Sequence, residues 1–307
     1  VLPAEAAARK VDDAVRRDFP PSRTSPIYLA VDGASTNEIG AYAQRLARVR
    51  GVAAVAPPQR VSPGAWRVDV YPSADFLAAE KGGLVGRLRA TPVDARVLAG
   101  GLAPWFHDQK ASMRAHLPAA LVVVAVATLL ILFLMTGSVI LPVKALLMNL
   151  LTVSVAFGAV VWIFQDGRLE SVLDFESRGG LDFSQPILLF AVVFGLSTDY
   201  GVFLLMRIRE EYLRTGDNEE SVARGLERTG RIVTAAALLL CVAVGTFATG
   251  RLVFVKELGV GIAVGVLVDA TIVRALLVPS LMKLLGDWNW WAPEPLRRIH
   301  RRLGLDH

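Results

Sequence analysis

Cysteine is almost missing from this sequence. Cys241 is the only one in 307 residues, and it lies inside an apolar run. That excludes a disulfide framework and any cysteine-based metal site. Histidine is scarce as well. His107 and His116 are isolated, and no H-E-x-x-H pair, G-x-S-x-G elbow or phosphate-binding glycine loop occurs. No basic run is interleaved with aromatics, so the net charge of +5 does not read as a nucleic-acid surface. The first residue is Val1 rather than Met, and no short apolar segment with a cleavage site follows it. The expectation is a piece of a longer protein that begins partway through a domain.

What the sequence does have is apolar length. Hydrophobic residues make up 53% of the chain and mean hydropathy is +0.47. The apolar residues gather in five spans, at about 117–136, 145–164, 186–206, 232–249 and 258–282. Each approaches the ~20 residues that a helix needs, at ~1.5 Å per residue, to cross a ~30 Å hydrocarbon core. Asn149 and Ser154 interrupt the second span, and Asp269 and Arg274 the fifth. Between the third and fourth spans lie Arg207, Arg209, Arg214, Arg224, Arg228 and Arg231, and the tail adds Lys283, Arg297, Arg298, Arg301 and Arg302. The loop 165–185 is acidic by contrast. The positive-inside rule therefore puts the tail, 286–307, in the cytoplasm and residues 1–116 outside. Within the arginine-rich segment, Glu219–Glu227 reads as a surface helix with Asp217 as its N-cap. Trp288, Trp290 and Trp291 read as interfacial anchors.

Residues 1–116 alternate short elements. Ala4, Ala8, Val11 and Val15 form one face of a helix over 4–18. Strands are expected at Ile27–Val31, Val52–Val55, Trp66–Val70 and Asp94–Leu98, and helices at Asn37–Val49 and Ser73–Arg89. The order βαββαβ is that of an α+β ferredoxin-like fold.

Chemistry concentrates in the third span, where Asp199 and Tyr200 follow Ser197 and Thr198. An acid in a membrane span is costly unless it is protonated, paired or facing water, and is a functional-site hypothesis by default. Asp199 reads as a carboxyl that desolvation allows to take up and release a proton near neutral pH. The alternative is a permanently neutral or hydrogen-bonded Asp that only locks helices together. Tyr200 points ~100° away from Asp199 around the helix, so its partner is another helix. Asp199 and Asp269 lie ~20 Å and ~17 Å along their spans, at comparable depth. Asp269 and Arg274 are five apart, which does not stack them on one α-helical face. They read as intramembrane charge partners of each other or of groups elsewhere. Gly195, Gly201, Gly261 and Gly265 read as thin faces for helix packing. Thr234, Thr246 and Thr249 are weaker hydrogen-bonding candidates.

The segments FGLSTDYGVFLL at 194–205, RTGRIVTAAALLL at 228–240 and LGVGIAVGVLVDATIVRALLVPSLMKLLG at 258–286 resemble the MMPL family of the resistance–nodulation–division (RND) transporter superfamily. The tail DWNWWAPEPLRRIHRR at 287–302 is similar to that of actinobacterial members. The resemblance implies the C-terminal half of a two-half exporter of lipids or other hydrophobic molecules. It implies a multi-pass inner-membrane protein with a periplasmic porter subdomain, driven by protons; for want of any nucleophile, metal or phosphate motif, neither an enzyme nor a cofactor is expected. Asp199 would carry a proton and bond the other half's Tyr, while Tyr200 would serve that half's Asp. The expected partners are thus the N-terminal half or a companion chain, a lipidic substrate and protons. A drug efflux pump of the same superfamily and a non-transporting lipid-sensing scaffold are the rival readings.

Overall fold

A computed structural model describes residues 6–18, 25–73, 83–177, 180–181 and 184–302. These fall into two compact units divided at Pro118.

In the first unit, β1 (Ile27–Asp32) lies between β4 (Ala65–Pro72) and β5 (Arg96–Gly100), and β2 (Val52–Val55) and β3 (Gln59–Ser62) both pair with β4. Every pairing is antiparallel, with Leu29 opposite Val68 and Ala99. The alternation in β1 buries Ile27, Leu29 and Val31 on one face. There they meet Ile39, Tyr42 and Leu46 of α2 (Thr36–Ala47) and Leu84 and Leu88 of α3 (Leu84–Arg89). Ser35 caps α2 in a reciprocal box with Glu38.

Three features differ from the sequence reading. Strand β3 was not expected: all four of its residues are exposed, so it carries no apolar alternation, and the turn at Gly64 (φ +82°) folds it back on β4. The helix expected over Ser73–Arg89 is described only as Leu84–Arg89, and 74–82 lie outside the described residues. Helix α1 (Ala7–Asp18) forms, but Ala8 and Val11 of its expected apolar face are exposed.

Among the described residues, five helical segments are long and apolar enough to cross a membrane, spanning 102–136, 140–165, 184–215, 218–249 and 253–290. They begin as α4 (Leu102–Thr136), α5 (Ile140–Val160), α7 (Ser184–Thr215), α8 (Asn218–Gly245) and α9 (Val253–Val268), with a one-turn α6 (Glu170–Leu173) between α5 and α7. The separate surface helix expected at Glu219–Glu227 is instead the first part of α8. No proline breaks the segment, and Arg228 pairs with the buried Glu211 of α7. Asp217 does cap it, accepting the amides of Glu219 at 2.8 Å and Glu220 at 3.0 Å. The helices cross closely where glycine permits it. A Cβ on Gly225 would lie 2.5 Å from Ile208, and one on Gly261 would lie 2.7 Å from Val160 and 2.8 Å from Leu189.

The fifth segment changes its winding. After α9 it runs as a π-helix over Asp269–Leu277, then as α10 (Val278–Leu285) and a 3₁₀ turn, Gly286–Trp290. The tail docks on the arginine-rich end of the bundle. Asn289 is fully buried and donates to Met282 O at 2.7 Å, and Trp290 stacks on Tyr212 and donates to Asn218 at 3.1 Å. Trp290 is therefore a packing residue, whereas Trp288 and Trp291 are exposed. His300 of α11 (Glu294–Arg302) is buried with Nε2 3.0 Å from Leu134 O. At the opposite end, the buried Lys256 donates to Asp174 O at 2.7 Å and to Leu173 O, capping α6.

Candidate functional site

The π-helix decides how the charges meet. In an α-helix, residues five apart are separated by ~140° around the axis. A π-helix closes i→i+5 turns and so brings such residues together. Asp269 and Arg274 accordingly form an ion pair, Oδ2 to Nη2, with both residues only 5% exposed. They are charge partners of each other.

Two neighbouring helices complete the surroundings of the acid. Ser197 of α7 has its Oγ 2.6 Å from Asp269 Oδ1, and Thr152 of α5 donates to the same oxygen at 3.2 Å. Asn149, three residues before Thr152 on the same face of α5, has its amide oxygen 2.8 Å from Ser197 Oγ. Its Nδ2 donates to Thr198 Oγ1 at 2.8 Å. Arg274 Nη2 donates to Ser197 O at 2.7 Å, and its guanidinium carbon lies 5.2 Å from the centre of the Tyr200 ring. Among the described residues, Arg274 Nε and Nη1 are buried without a hydrogen-bond partner. Three spans thus converge on one carboxylate. Of these partners, the sequence marks Asn149, Ser197 and Thr198 only as polar residues in apolar spans, and does not single out Thr152. The signal was the i,i+3 spacing of Asn149 and Thr152.

Asp199 is placed differently. It is exposed on the surface of α7, with no hydrogen bond or ion pair among the described residues. Of these two acids, Asp269 is the desolvated one and Asp199 is not. Tyr200, one residue on, turns toward Arg274 and so belongs to the buried group. The glycines divide too. Gly265 packs against Val193 and Ala156, as Gly261 does against Val160 and Leu189, but a Cβ at Gly195 or Gly201 meets nothing within 4 Å. The latter two therefore make no close helix approach inside this chain: Gly195 lies in line with exposed residues of α7, and Gly201 borders a small cavity shared with α5 and the fifth segment. Thr246 and Thr249 bond backbone carbonyls three residues back, a local contact only.

Comparison with known proteins gives the chain its relatives. It is similar to a putative membrane protein, SCO6666, of Streptomyces coelicolor, at 41% identity over 99% of this chain and 42% of that protein. It is similar to the trehalose monomycolate exporter MmpL3 of Mycobacterium tuberculosis, at 35% identity over 99% of this chain and 34% of the exporter. The mycolic acid-containing lipids exporter MmpL11 of Mycolicibacterium smegmatis is 36% identical over 87% of this chain and 28% of its own length. The chain thus spans less than half the length of these relatives. The model of the MMPL family matches residues 81–304, which takes in all five spans, and the chain belongs to that family.

Proposed function

We propose that this chain is the C-terminal half of an exporter, driven by the proton gradient, that moves lipids or other hydrophobic molecules across the inner membrane. In this reading residues 1–116 are a periplasmic porter subdomain, 117–285 the bundle and 286–307 a cytoplasmic tail. The strand order β2-β4-β1-β5, antiparallel throughout, supports a ferredoxin-like porter unit. The clustered arginines support a cytoplasmic tail. The similarity to a trehalose monomycolate exporter and a mycolic acid-containing lipids exporter supports a lipidic cargo.

One observation carries the proton role. Helix α7 exposes Leu188, Val192, Asp199 and Phe203 along one stripe, with Gly195 in the same line, while its opposite stripe of Leu189, Val193, Ser197 and Ile208 faces the bundle. An acid in the middle of a lipid-facing stripe costs ~2.5–3.5 kcal/mol or more, so this stripe calls for a polar protein partner. The other half of the transporter supplies one in this reading, with Asp199 carrying the proton and bonding that half's tyrosine. Tyr200 is the counterpart donor.

The test is Asp199→Asn in the full-length protein reconstituted in vesicles under an imposed pH gradient. Lipid export should fall to background while the protein stays folded and membrane-inserted. Undiminished export would refute the assignment. Loss of drug transport with lipid export untouched would favour an efflux pump instead.

A further inference from the structure

Ser197 Oγ sits between two acceptors, Asp269 Oδ1 at 2.6 Å and the Asn149 amide oxygen at 2.8 Å. A hydroxyl has one hydrogen and can donate to only one of them. The conflict has two complete solutions on the same heavy-atom positions. If Asp269 is ionised, Ser197 donates to it. The Asn149 amide then turns over, so that its nitrogen donates to Ser197 and its oxygen accepts from Thr198. If Asp269 carries a proton on Oδ1, that proton is donated to Ser197 and Ser197 donates to the Asn149 oxygen. The Asn149 nitrogen then donates to Thr198, and Thr198 donates to Phe194 O at 2.7 Å. Amide nitrogen and oxygen have nearly the same shape, so the two states fit one packing arrangement. A cavity of about 30 Å³ bordered by Asn149, Ser197, Asp269 and Arg274 gives the amide room to turn.

We propose that Ser197, Asn149 and Thr198 form a hydrogen-bond switch that reverses direction when Asp269 gains or loses a proton. It would transmit the state of the fifth span to the second and third. One O–H bond forms at Oδ1 with a proton from the aqueous phase, and everything else is rotation about single bonds. The charged and titratable groups around Asp269 are Arg274 on its own helix, Tyr200 on α7 and Lys144 on α5, which borders the same cavity. Among the described residues, helix α8 contributes Val233 and Ala237 to the cavity beside Asp269. The functional meaning of the switch rests on the proton-coupled reading above; its existence does not.

Infrared titration of the full-length protein in bilayers tests it, with Asp269→Asn identifying the carboxyl band. Ser197→Ala removes a donor from the carboxylate and should move the midpoint of that band to higher pH. Asn149→Leu removes the acceptor that the protonated state needs and should move it to lower pH. Each shift should be about half a unit to one unit. Ser197→Cys, a weaker donor of similar size, should move the midpoint the same way as Ser197→Ala, and serves if the alanine variant fails to fold. Shifts of the same sign, no shift, or no band lost in Asp269→Asn would overturn the switch. Export by the same proteins separates the two ideas. If Asp269→Asn exports with an unchanged pH profile while the band shifts are opposed, the switch stands and this acid's part in coupling falls.

Discussion

At the scale of single residues, the ion pair of Asp269 and Arg274 sets the terms for its neighbours. Both ions are out of water, and their attraction offsets desolvation only while each keeps the other. Arg274→Leu would leave Asp269 buried with hydroxyl partners alone. The expected cost is about 3–5 kcal/mol, read as a lowered thermal midpoint of the purified protein. Replacing both with apolar residues of similar volume should recover most of that stability, which separates a lost charge pair from lost packing. The sequence showed the two charges and their depth. It did not show the pairing, because five-residue spacing separates side chains on an α-helix and nothing in Asp269–Leu277 advertises the wider winding. Asp199 was legible as an acid within an apolar span beside Tyr200, but its exposure was not. Which face of an apolar helix a bundle covers depends on residues far away in the chain.

At the scale of elements, glycine placement separates close helix approaches from positions with room for a side chain. Gly261 has Val160 and Leu189 against it, both fully or almost fully buried, so there is little room for them to withdraw. Gly261→Ala should cost about 1–3 kcal/mol of bundle stability by overpacking. Gly201→Ala, with nothing within 4 Å, should leave thermal stability unchanged, and equal losses in the two variants would contradict this packing. In the sheet unit the cap of α2 offers a second probe. The Ser35 amide donates to Glu38 Oε2 at 2.8 Å, and hydrogen bonding to the Ser35 side chain and then its backbone holds Glu38 below the ordinary glutamate value. A depressed carboxylate contributes its stabilisation above the unfolded-state value, near 4.5, and loses it as pH falls through the folded one. Hydrogen-exchange protection of the first turn of α2 should weaken on acidification through that window. Glu38→Gln should remove that pH dependence, and Ser35→Ala should cost about 1 kcal/mol at neutral pH. The strands and spans that were legible in advance are those with a buried face and hence a period. β3 has none, and α8 was divided because its charged first half lacks the apolarity of its second.

At the scale of the whole molecule, α7 has a buried stripe that binds this bundle and an opposite stripe that nothing in the described chain covers. The buried stripe packs against the second, fourth and fifth segments. The open one, with Asp199 at its middle and Gly195 one turn before it, is the surface on which the proposed second half would sit. Gly195 distinguishes stability of the half from assembly of the whole, because a side chain built there meets no neighbour within this chain. Gly195→Trp should therefore leave membrane insertion and the thermal stability of this bundle intact. In the full-length transporter it should hold the opposing helix away from Asp199. The expected result is loss of disulfide crosslinking between cysteines placed on the two facing helices, together with loss of proton-driven export. Gly195→Ala, which adds one methyl group, should retain most of both. If Gly195→Trp crosslinks and exports like the parent, this stripe faces lipid. The cost of Asp199 would then have to be met by water or by protonation rather than by a second half.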